Sequence, residues 1–137
     1  MRAVHIISLI ARLALMAALL LGLLHWIFHI SFINIHMGLG ITGAVGLLTL
    51  GVVAVFTRGM RWLGVGSIVY AVILPVFGMT QSRILPGNLH WLIQMAHLAV
   101  GIGAMMVALR VERIYRRRDK ATASAAESTA TAIQGAR

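Results

Sequence analysis

The sequence predicts an all-α integral membrane protein, an up-down four-helix bundle with both termini on the cytoplasmic side. Three observations predict it. No Lys, Arg, Asp or Glu interrupts the runs Leu13–Thr57, Trp62–Ser82 and Ile84–Leu109, and about 20 apolar residues suffice to cross a bilayer's hydrocarbon core. The chain is 60% hydrophobic and only 11% charged, more apolar surface than a soluble domain of this length can bury. The cations also segregate. Arg2, Arg12, Arg58, Arg61, Arg110, Arg113, Arg116, Arg117, Arg118 and Lys120 fall at one end of a four-span bundle, and Arg83 alone falls in a loop at the other. The positive-inside rule turns that asymmetry into an orientation.

The first run is long enough for two crossings, about residues 4–30 and 34–57, with Ser31 and Asn34 marking the turn. Arg12 lies inside the first and is expected to snorkel toward one face. The Leu-rich start with Arg2 has the look of a signal peptide. Arg12 breaks the apolar stretch, however, and no small-x-small cleavage site precedes Trp26, so a retained helix is expected. Thr57-Arg58-Gly59-Met60-Arg61 is a charged, Gly-containing connection. The third span covers about 61–81, with Pro75 kinking rather than stopping it. Pro86-Gly87 marks the next turn and Asn88 is the expected cap. The fourth span covers about 88–112, and its helix continues to about Arg117. Residues 1–118 thus form the transmembrane domain. The Ala/Ser/Thr-rich remainder, 119–137, has no apolar face and is expected to be a disordered tail, part of which its Ala content could let register as helix.

Several chemistries are excluded. With no Cys there is no disulfide, no thiolate metal site and no haem held through thioethers. The net charge of +9 does not imply nucleic-acid binding, because its distribution is that of topology anchors. No Gly-rich phosphate loop, Ser/His/Asp set or nucleophilic cysteine is present. Every acidic residue lies beyond Arg110, so no carboxylate is expected within the membrane and proton-coupled export is not predicted.

Five histidines lie in or beside the apolar runs: His25, His29, His36, His90 and His97. Ionisable groups are costly there and mark function by default. Imidazoles without carboxylates suit iron or another metal better than proton coupling. His25 and His29 are four apart and share a face, while His90, Gln94 and His97 form one stripe of the fourth helix. His36 opens the second helix above Gly40 and Gly43, and Gly101 and Ala104 continue the stripe below His97. Small residues below paired imidazoles leave room for a flat macrocycle, although they also serve close helix packing. The expected axial pair for haem b is His36 and His97, with His25 the first substitute and His29 and His90 shallower alternatives. Arg83 is the candidate partner for a propionate, with solvation its default.

Blander readings stand beside this one. His29, Trp26, His90 and Trp91 would suit an interfacial belt, and His97 could simply bond to a neighbouring helix. Gln94 serves equally as interhelical glue or as a quinone contact. Met37, Met79 and Met95 with the histidines make copper a minor alternative, and zinc has no spacing motif. The basic run from Arg110 to Lys120 anchors topology and attracts anionic lipid.

His36-x-x-x-Gly40 opening an apolar helix that closes with Arg58 and Arg61 resembles the second helix of the bacterial four-helix membrane b-type cytochromes. The segment with His90, His97 and a basic end resembles their fourth. The resemblance covers about half the chain. It implies haem ligation from those two helices, electron exchange with quinone or superoxide, and a bacterial inner membrane. The other end offers only His5, so that family's second haem has no ligand pair. The resulting expectation is a small cytochrome with one haem near the outer face. The contrasting one is a non-catalytic membrane protein, packed in a larger complex or as a homodimer, with structural histidines.

Overall fold

The computed structural model describes residues 2–30 and 32–135, and among these the chain is four helices joined by short turns. They are α1 (Arg2–Phe28), α2 (Ile33–Val55), α3 (Arg61–Thr80) and α4 (His90–Gly135), with a 3-10 turn at Gln81–Arg83. All four are long and apolar enough to cross a membrane. Such helices satisfy their own backbone groups, which is what a medium without water demands. Their outward faces carry half-exposed Ile10, Leu20, Ile41, Val72 and Ile102, a continuous apolar surface that water would not tolerate.

Neighbours run antiparallel, with α2 and α4 on a diagonal. Glycines set the closest approaches. A Cβ on Gly46 would lie 2.6 Å from that of Ala11, and one on Gly64 would lie 2.5 Å from the backbone nitrogen of Val55 and 2.7 Å from the Gly51 carbonyl. Only the absent side chains let α1, α2 and α3 meet this closely. The middle of the bundle is a core of Leu15, Ala44, Leu47, Ala71, Leu74, Ala104 and Ala108. A second core, around Leu50, Ala54, Met60, Val111 and Tyr115, fills the end that carries most of the arginines.

The turns follow local chemistry. Gly59 takes a left-handed φ of 77° between α2 and α3, where Met60 N–H donates to the Thr57 carbonyl at 3.0 Å. Gly87 does the same before α4, with φ 98°. The expected turn residue Ser31 lies outside the described residues, and Asn34 belongs to α2 rather than to the turn. Pro75 sits within α3 without ending it. Leu89, not Asn88, precedes α4.

Two features stand beside the expectations. Residues 119–135 continue α4 as helix, and every described side chain from Lys120 onward is exposed. Their Ala content gives helix propensity without any apolar face to dock. Arg12 does not snorkel to a surface. Its guanidinium turns inward and meets Glu112 at 2.7 Å.

Candidate functional site

A cavity of about 370 Å³ opens between the helices at the end opposite the arginine cluster, within the size range of cofactor pockets. Leu15 and Leu74, both nearly fully buried, form its floor. Gly40 and Gly101 line it, and a Cβ on either would meet nothing within 4 Å. The space expected below the histidines is therefore present at these two positions. Gly43 contributes none, because Leu15 occupies the volume a side chain would need there.

His36 and His97 face each other across the diagonal, with ring centroids 6.1 Å apart and planes inclined by 57°. His36 stands in the first turn of α2, and its Nδ1–H donates to the Ala18 carbonyl of α1 at 2.8 Å. A carbonyl can only accept, so the proton of a neutral ring sits on Nδ1 and Nε2 keeps its lone pair. This is the arrangement by which proteins orient a metal-binding imidazole. His97 stacks obliquely on Phe77, with centroids 5.8 Å apart, and its buried Nδ1 has no hydrogen-bond partner. Two glycines make room for the rings. A Cβ on Gly22 would lie 3.3 Å from His36 Cε1, and one on Gly78 would lie 3.2 Å from His97 Cε1.

The other candidates are distributed around the mouth or away from it. His25 lines the cavity while its ring nitrogen bonds the Ile30 carbonyl at 3.2 Å. His90 also lines it and bonds the Ile84 carbonyl at 3.3 Å, and Gln94 lies between His90 and His97 on the same wall. His29 is exposed, has a left-handed φ of 56° and does not line the cavity. Arg83 is likewise exposed and outside the lining, so it does not stand at this cavity where a propionate partner was expected. Ser82 and Gln81 line the mouth instead, the latter with a buried, unpartnered Oε1. Met37 and Met79 line the cavity and Met95 does not. Among the described residues no three His, Cys, Asp or Glu side chains converge on a metal-sized position.

A second polar cluster occupies the arginine end. Glu112, 3% exposed, accepts from Arg12 at 2.7 Å, from Arg116 at 2.8 Å and from Ser8 at 3.2 Å. His5 Nε2 meets Asp119 at 3.1 Å beside it, and His5 Nδ1 and Asp119 Oδ1 are buried without partners. Glu112 is thus a carboxylate buried between α1 and α4 at the arginine end of the bundle. Two signals for Glu112 were present in the sequence. Arg12 is a lone charge in an apolar run and needs a counterion, and Ala104, Ala108, Val111 and Tyr115 continue one helical stripe straight through the basic segment. The roles of Gly22, Gly78 and the Ala18 carbonyl carried no signal, since each depends on which helix lies opposite.

Comparison with protein-family models, with curated proteins and with solved structures finds no match to the chain.

Proposed function

We propose that the protein is an integral membrane b-type cytochrome of the bacterial inner-membrane kind, with its arginine end in the cytoplasm and one haem held by His36 and His97 near the opposite face. The observation that carries this reading is the pair of rings at 6.1 Å. Rings this close, with the lone pair of His36 Nε2 left free by the bond from Nδ1 to Ala18, are the pair that would hold a haem iron. The donor set argues for a macrocycle over a bare ion. Two nitrogens alone under-coordinate copper or zinc, whereas a porphyrin brings four of its own.

Haem supplies a one-electron iron couple whose potential depends on its axial ligands and surroundings. The chain's part is placement. Ala18 fixes the tautomer and direction of His36 and strengthens Nε2 as a donor. Gly40 and Gly101 leave open volume beside the pair, Gly22 and Gly78 admit the rings, and Leu15 and Leu74 close the floor. Quinone or another small carrier would reach the mouth beside Gln81 and Gln94.

The test is an absorption spectrum of detergent-solubilised protein expressed with ample haem. A Soret band is expected, lost in His36→Ala and in His97→Ala and kept in Met79→Ala. A colourless wild type rejects the proposal. It would favour a membrane subunit with structural histidines, in which the bond from His36 to Ala18 simply joins α2 to α1. Single His→Ala changes would then cost only about 1–2 kcal/mol.

A further inference from the structure

We infer that the site has a single mouth, so that reductant and oxidant both exchange electrons at the histidine end and none are carried through to the arginine end. The inference rests on the haem reading for its redox part, and on packing alone for its access part.

Below the floor of Leu15 and Leu74 the bundle axis is dry. Leu47, Ala104 and Ala108 are 0% exposed, and Leu50, Ala54 and Val111 beyond them are also 0% exposed. Of the two fully buried serines among the described residues, Ser67 donates to its own helix at Leu63, 2.8 Å away, and Ser8 donates to Glu112 of the arginine-end cluster at 3.2 Å, so neither reaches the cavity. From His97 to Glu112 is fifteen positions of α4, about 22 Å of helix. The arginine end is then closed twice. The Arg12–Glu112–Arg116 cluster links α1 to α4, and Arg118 donates to the Arg58 carbonyl at 2.7 Å across the α2–α3 turn.

A conducting route would need a redox centre near that closed end. Among the described residues its one imidazole is His5, tied to Asp119 at 3.1 Å, with no second ring to share a ligand. With a haem held by His36 and His97, one electron would leave a reduced carrier, oxidised by its loss, and pass to an oxidised carrier, reduced by its gain. Both meet the protein at the mouth marked by Ser82 and Gln94, and no charge crosses the membrane.

Two readouts test this on the full chain in lipid vesicles. The sequence has no cysteine, so Gln94→Cys and Ser67→Cys each carry a single thiol, with Ser82→Cys as a mouth variant at an exposed position. Trypsin added outside reports which vesicles display the arginine-rich segment. A membrane-impermeant maleimide is expected to label Gln94→Cys and Ser82→Cys only in vesicles that shield that segment, and Ser67→Cys in neither population. Labelling of Gln94→Cys or Ser67→Cys from the arginine face would overturn single-mouth access, with or without haem. In haem-loaded vesicles holding trapped ferricyanide, external dithionite is expected to reduce the chromophore only where the histidine end faces out. The trapped ferricyanide should then fade no faster than in protein-free vesicles. Faster fading that His97→Ala removes would overturn one-sided exchange. A missing Soret band would instead reject the haem reading and leave the labelling result standing.

Discussion

At the arginine end Glu112 is met by Arg12, Arg116 and Ser8, all within 3.2 Å. At the histidine end His97 Nδ1 and Gln81 Oε1 are buried with no partner, beside a cavity of about 370 Å³. A buried polar atom left unmade costs about 1–3 kcal/mol, and native structures keep few of them. The first arrangement spends its polar groups on joining helices. The second leaves bonding capacity unspent next to open volume, as a ligand site does. His5 and Asp119 soften the contrast, since each leaves one buried atom unpaired at the arginine end, but neither lines that cavity.

The contrast is broken most severely at Glu112. Glu112→Ala removes the carboxylate and leaves Arg12, whose side chain is 23% exposed, as an uncompensated charge against the core. Breaking a buried pair from one side costs about 3 kcal/mol or more, here at the low end because Arg12 keeps partial solvent access. The denaturation midpoint in detergent should fall by that amount, while the folded fraction keeps the Soret band that the haem reading expects. An unchanged midpoint would mean that the cluster holds nothing together.

Gly64→Ala asks how rigid the frame between the two ends is. Its new Cβ would sit 2.5 Å from the Val55 nitrogen and 2.7 Å from the Gly51 carbonyl, both backbone atoms. Neither can rotate away, so α2 and α3 must separate, at a cost of about 2 kcal/mol. Calorimetric or denaturant melting of the purified protein measures it. A loss well below 1 kcal/mol would show that the helices slide freely, and the placement of the rings would then owe little to this contact.

How far each end was legible in the sequence follows from what fixed it. The spans could be read because hydrophobic runs and cation placement are properties of single segments, and α2 and α3 came within one or two residues of expectation. His36 and His97 were paired from comparable depth on the second and fourth helices, which run parallel in an up-down bundle, a matter of counting turns. Gly101 and Gly40 followed from helical spacing in the same way. Contacts across helices were beyond that reach. Glu112 reads as one acid in an arginine run until α1 is laid beside it, and Gly22 is an ordinary glycine in a Leu-rich stretch until His36 lies against it. The segment after Arg118 is a different case. Lack of an apolar face argues against docking, yet alanine-rich chain attached to an existing helix has already met the cost of nucleation and can continue it.

The smallest expected effect on stability separates an open site from a packing gap. Gly101→Ala adds a Cβ where nothing lies within 4 Å, so no clash opposes it, and removing a helical glycine lowers the entropy cost of folding. Its melting midpoint should stay within about 0.5 kcal/mol of the parent, as for substitutions that disturb no contact. The added methyl nevertheless enters the volume beside His97 that the haem reading assigns to the macrocycle. Weaker haem retention or a shifted Soret maximum is therefore expected, in a protein as stable as before. Gly64→Ala should do the reverse, with a lowered midpoint and an unshifted band. If Gly101→Ala leaves both unchanged, the space beside Gly101 takes no part in holding a ligand, and the proposed site must draw in to the two rings and the glycines that directly face them.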